Sequence, residues 1–96
     1  MASPLEKDIE RLVCNYANKR HWLFFKFKSQ NQRGVPDRIF VLPCGRVIFA
    51  EFKRPGKKPT DLQLHVHGKL KKQGCTVWVI DNVTTGKQLI DAATWE

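Results

Sequence analysis

Two apolar runs, residues 37–42 and 46–53, flank the tripeptide Pro43-Cys44-Gly45, and no other feature restricts the fold as tightly. A short glycine-containing loop between two such runs predicts a β-hairpin, and the loop length sets which residues face each other. With all three residues in the loop, Leu42 pairs with Arg46, Val41 with Val47, Ile39 with Phe49, and Asp37 with Glu51. Directly opposed residues share a face, their Cβ atoms about 4.5–5.5 Å apart. A two-residue loop would instead set Asp37 against Phe52, on the opposite face from Glu51. The turn therefore decides whether two carboxylates meet. Phe40, Leu42, Ile48, Ala50 and Phe52 form the other face. Both faces are apolar in the middle, the pattern of central strands covered by helices on both sides.

The remaining elements are read from periodicity. Leu5, Ile9, Leu12, Val13 and Tyr16 recur at helical spacing and predict a first helix over residues 4–19. Ser3 suits its N-cap, Pro4 its first position, and Glu6 the third position after the cap. Residues 22–28 are aromatic and end in the alternation Phe25-Lys26-Phe27-Lys28, a strand signal. Thr60 opens a second helix with Leu62, Val66 and Leu70 on one face, closing at Gly74. A β-branched strand follows over residues 76–81, and a last helix is expected from Thr85. Trp22, Phe24, Phe25, Phe27, Phe52 and Trp78 read as core. The order is αβββαβα, in one domain spanning residues 1–96.

Charge narrows the function. The formal net charge is +8, and the segment from Lys19 to Lys58 carries eleven Lys or Arg against two acids, Asp37 and Glu51. So basic a surface suits phosphate polyanions. Carboxylates inside it would repel phosphate unless neutralised, and a divalent cation would turn that repulsion into a binding site. Like charges directly opposed in a sheet are also destabilising, so a purely structural reason for the pair is unattractive. Lys53, two residues beyond Glu51, falls on the same face. His65 and His67 are two apart on the second helix, not the i, i+4 pair of a metal site, and read as surface or phosphate-contacting groups. Apolar stretches reach only four residues (Trp22–Phe25, Val47–Ala50, Val77–Ile80), too short to span a membrane. The amino terminus lacks an apolar signal core, and Cys14, Cys44 and Cys75 form no CxxC pair. An intracellular, reducing location is expected, without a disulfide framework or a structural zinc.

Gly34-Val35-Pro36-Asp37, followed after the hairpin by Glu51-Phe52-Lys53, resembles the PD-(D/E)XK nuclease motif. With Arg33 before it, Arg54-Pro55-Gly56 after it and Gln63 on the next helix, the string resembles the VRR-NUC (virus-type replication-repair nuclease) family from Glu6 to about Asp81. The resemblance implies an α/β fold with an αβββαβ core, a central mixed sheet flanked by helices as in restriction endonucleases. It also implies that Asp37, Glu51 and the backbone carbonyl of Phe52 hold Mg²⁺ or Mn²⁺. Lys53 would then orient the attacking water and offset phosphate charge. A first-helix glutamate completes such sites, often through water. Glu6-Lys7-Asp8-Ile9 matches the family's Glu-x-x-Ile, and Glu6 lies nearer the apolar stripe than Glu10. Glu6 and Gln63 each also fit a capping box, with Ser3 and Thr60.

The expectation is therefore a metal-dependent endonuclease cleaving DNA, with Asp37, Glu51, Lys53, Glu6 and Gln63 in its site. Arg33, Arg38, Arg54, Lys57 and Lys58 flank that site and would contact phosphates. No helix-turn-helix or zinc finger is present to read bases, so recognition by shape is expected. Stand-alone relatives imply a homodimer favouring branched DNA such as four-way (Holliday) junctions, in replication or repair and of viral or phage origin. No membrane or organic cofactor is implied. Two alternatives are a non-catalytic basic nucleic-acid-binding module on a nuclease fold and a sequence-specific restriction-type nuclease.

Overall fold

Seven elements follow in the expected order: α1 (Pro4–Asn18), β1 (Leu23–Lys26), β2 (Arg38–Val41), β3 (Val47–Phe52), α2 (Asp61–Lys72), β4 (Thr76–Ile80) and α3 (Val83–Thr94). They come from a computed structural model that describes residues 4–94. The capping role expected of Ser3 lies outside the described residues.

The turn has the longer of the two loops considered. Leu42 N–H donates to the Arg46 carbonyl at 2.9 Å, and Gly45 N–H donates to the Leu42 carbonyl at 2.8 Å. Gly45 sits at φ 89°, a region glycine enters without steric cost. The register that follows pairs Ile39 with Phe49 and Val41 with Val47. The sheet runs β1-β2-β3-β4. Its first three strands are antiparallel, and β4 is parallel to β3 because α2 supplies the crossover that parallel strands need.

One face of this mixed sheet packs on α1 and α3. Phe40, Ile48, Ala50, Phe52 and Ile80 from the strands meet Ile9, Val13, Ala17 and Ile90 from the helices, with Trp22 among them. The buried side of α1 runs through Ile9, Val13, Cys14 and Ala17, while Leu5 and Leu12 of the expected stripe are exposed. The helix is turned so that Val13 meets α3 at Gly86. Gly86 allows the approach, since a Cβ there would lie 2.6 Å from Val13 Cγ2. Arg20 and Tyr16 both bond the Asp91 carboxylate, at 2.6 and 2.8 Å, clasping α1 to α3. The last helix begins before Thr85, because Asn82 accepts from Thr85 N–H at 2.7 Å and so acts as its N-cap.

The other face is covered only in part. In place of the helix-covered sheet expected on both sides, α2 packs on β4 and leaves the β1–β2 side open. Leu23, Phe25 and Val47 are 58%, 54% and 42% exposed. Cross-strand pairing puts Leu23, Val41 and Val47 in one row, and Phe25, Ile39 and Phe49 in the next. Phe25 is thus surface, not core. Phe24 and Trp78 do pack against the core.

Candidate active site

The acids stand where β2 and β3 end. Asp37 immediately precedes β2, and its Oδ2 accepts the backbone N–H of Phe52 at 3.0 Å. Its own carbonyl accepts Phe27 N–H at 2.8 Å. The aspartate is therefore fastened by side chain to β3 and by backbone to the residue following β1. Upstream, Gly34 has φ 85°, and a Cβ there would sit 3.0 Å from both Leu62 Cγ and the Leu62 carbonyl. This glycine lets the loop before Asp37 lie on the first turn of α2, the turn that carries Gln63.

Glu51 is 1% exposed. Its Oε2 accepts Gln63 Nε2–H at 3.2 Å and lies 3.9 Å from Lys53 Nζ. Gln63 is held by a capping box: Thr60 Oγ1 accepts its N–H, and its Oε1 accepts the Thr60 N–H at 2.9 Å. Gln63 thus caps α2 with one end of its amide and contacts Glu51 with the other. Burial pushes the Glu51 carboxyl up to about 8. The Asp37 charge and a hydrogen bond between the two carboxyls add to this, Lys53 opposes it, and Glu6 contributes a little more.

Glu6 is half-buried. With Asp37, Glu10, Lys26 and Lys28 it lines a cleft of about 240 Å³. Glu10, the other first-helix candidate, is engaged elsewhere, as its Oε1 accepts from Arg38 at 3.1 Å. Arg38, expected among the phosphate contacts, has a side chain only 15% exposed in that ion pair. It alternates onto the face opposite Asp37 and ties β2 to α1. Arg33, Arg54, Lys57 and Lys58 are all exposed, on the loops before β2 and after β3. The basic rim also includes Lys7, Lys26 and Lys28, which sequence reasoning passed over although Lys26 and Lys28 alternate with Phe25 and Phe27.

His67 is the larger surprise. It is 2% exposed, not on the surface, and its Nε2 lies 3.6 Å from Glu51 Oε1. Burial lowers its basicity, with the charges of Lys71 and Lys53 adding to the effect, so the imidazole is neutral beside the acids. The spacing of His67 from Gln63, one helical turn, was the available signal.

Among the described residues no group of three or more His, Cys, Asp or Glu side chains is set to enclose a metal by itself. Two oxygen-bearing acids beside an open cleft nonetheless suit Mg²⁺ or Mn²⁺, which take oxygen ligands and leave positions to water and phosphate. Glu51 is also held at a raised pKa chiefly by burial and by the neighbouring Asp37 charge, a crowding of negative charge that a bound cation would relieve. The donor set fits.

Paired acids at a strand end, with a lysine two residues on, define the class of PD-(D/E)XK nucleases. The comparisons narrow this. The chain is 43% identical over 77 residues to "Putative nuclease p44" of Acyrthosiphon pisum secondary endosymbiont phage 1, covering 80% of this chain and 83% of that protein. It superposes on a solved structure described as "VRR_NUC domain" with a TM-score of 0.87 and 26% identity, over 93% of this chain and 97% of the other. No family model matches the sequence. The chain belongs to the VRR-NUC family of nucleases.

Proposed function

We propose that this chain, read as one nuclease domain over residues 1–96, is a Mg²⁺- or Mn²⁺-dependent endonuclease that hydrolyses DNA phosphodiester bonds. The observation that carries the reading is Asp37 and Glu51 side by side, with Lys53 reaching the same carboxylate. Asp37, Glu51 and the Phe52 carbonyl would hold the cation, and Glu6 would join from across the cleft, through water. Bound there, a divalent cation supplies Lewis-acid stabilisation of phosphoryl charge and acidifies water. The chain's own groups do the rest. Phe52 N–H and Gln63 fix the two carboxylates, and Lys53 offsets the negative charge that develops on the phosphate. Arg33, Arg54, Lys57 and Lys58, with Lys7, Lys26 and Lys28, would hold the DNA backbone. Among the described residues no Ser or Cys hydrogen-bonds to either acid, and direct attack by water is the route we favour.

The substrate we propose is branched DNA, four-way junctions above all, bound by a homodimer inside a prokaryotic or phage-infected cell. Support for the dimer comes from the uncovered rows containing Leu23, Phe25 and Val47. An apolar patch beside a basic cleft is the kind of surface a second copy covers, and two-fold symmetry would offer two sites to two strands. No helix of the described residues is long and apolar enough to cross a membrane.

The test is incubation of plasmid, linear duplex, flap and four-way junction with Mg²⁺, Mn²⁺ or EDTA. We expect the junction to be cut fastest, with either metal, and nothing to be cut in EDTA. Cutting that persists in EDTA overturns the mechanism. A monomeric mass at micromolar concentration, unchanged by junction DNA, overturns the dimer.

A further inference from the structure

Among the described residues three buried side-chain polar atoms lack a hydrogen-bond partner, and two of them, Glu51 Oε1 and His67 Nε2, lie 3.6 Å apart. We propose that His67 is a positioning residue for Glu51, its Nε2–H donating to Oε1 while Gln63 holds Oε2, so that α2 grips both oxygens of the metal-binding carboxylate. The inference rests on Glu51 being a metal ligand, as proposed above.

Helix geometry supplies the first argument. Gln63 and His67 are four residues apart on α2 and so share its face, and both contact Glu51. The capping box at Thr60 anchors this face at one end, and Val66, buried beside His67, anchors it at the other. Side-chain chemistry points the same way. A histidine placed only to fill space leaves its Nε2 unsatisfied in the interior, a loss that an apolar ring of similar size would avoid. Paired with Glu51, an Nε2–H satisfies both orphans at once. The separation is a few tenths of an ångström beyond a hydrogen bond, as is common for active-site contacts that tighten only in the working complex. Groups that orient a ligating carboxylate in this way change metal affinity or activity by about 10–100-fold when removed.

The experiment uses the full chain and two substitutions. His67→Phe keeps the volume and removes the donor, whereas His67→Gln places an amide N–H close to the position of Nε2. Mn²⁺ binding is read directly from the electron paramagnetic resonance of the free ion. Melting temperature is measured in EDTA, and kcat and KM for junction cleavage at saturating Mn²⁺. We expect His67→Phe to melt cooperatively, to bind Mn²⁺ at least roughly tenfold more weakly and to lose kcat with little change in KM. His67→Gln should recover most of both losses. Should the phenyl ring not be accommodated, His67→Leu carries the same expectation. Mn²⁺ binding by the donor-free variants equal to that of the parent overturns the proposal. So does equal weakening in His67→Gln and His67→Phe. Glu51→Gln separates the two readings. If it binds Mn²⁺ like the parent, the metal assignment itself falls; if it loses binding and His67→Phe does not, only the positioning role falls.

Discussion

Replacing Glu51 with glutamine should stabilise the metal-free protein while abolishing cleavage. The carboxyl is buried, its neighbour is another acid, and its pKa stands at about 8 against an ordinary 4.5. Between those values the folded chain retains a proton that the unfolded chain has released. Unfolding therefore releases a proton, and stability falls as pH rises through this window, at close to 1.4 kcal/mol per unit for one full proton. Below pH 4.5 the group contributes no such loss, and above about 8 the loss levels off. Glutamine fills the same space and has no charge to bury, its one carbonyl oxygen keeping the Gln63 contact while its amide N–H₂ takes the place of the oxygen that faces His67. The gap between the Glu51→Gln and parental stability curves should thus widen from pH 5 to pH 8. For a chain of 96 residues, each kcal/mol corresponds to about 4–8 °C in Tm. Denaturant melts in EDTA across this range measure the gap. Adding Mg²⁺ should close it from the parental side, since only the parent gains by binding. Parallel curves, or equal stabilisation of both proteins by Mg²⁺, would refute the reasoning.

Three further outcomes follow from the same geometry. Lys53→Ala should bind junction DNA nearly as well as the parent but lose cleavage by about 10²–10³-fold, the scale of removing one transition-state contact; gel-shift and single-turnover assays separate the two. Gly86→Ala should destabilise by about 1–3 kcal/mol through overpacking on Val13, against a helix-propensity gain of only about 1 kcal/mol; thermal melts decide the sign. In alkylation followed by mass spectrometry, exposed Cys44 should react first and Cys14 last, because burial raises the Cys14 thiol to about 11 and the thiolate is the reactive form.

The part of the site read from sequence was the part governed by chain-local rules. Loop length sets hairpin register, so Pro43-Cys44-Gly45 left two pairings open, and the hydrogen bonds of the turn select the one that brings Asp37 to Glu51. Alternation placed Lys53 on their face, and Thr60-x-x-Gln63 was legible as a cap. The same alternation assigns Arg38 to the opposite face from Asp37, where Glu10 meets it. Basicity and proximity in sequence were weaker guides than strand parity. Helical spacing put His67 on the face of Gln63, but whether that face is buried, and whether Phe25 is covered, depended on where α2 lies across the sheet. Because α2 covers β4 and the acid end, His67 is buried and Phe25 is left bare. Periodicity shows that a helix has an apolar side; it does not say how much of a sheet one helix covers.

The most direct measurement is an anomalous difference map from crystals grown with Mn²⁺. A single peak within bonding distance of one oxygen each of Asp37 and Glu51, absent from Asp37→Asn crystals, is the predicted result. A peak elsewhere, or none between those two carboxylates at saturating Mn²⁺, would contradict the account.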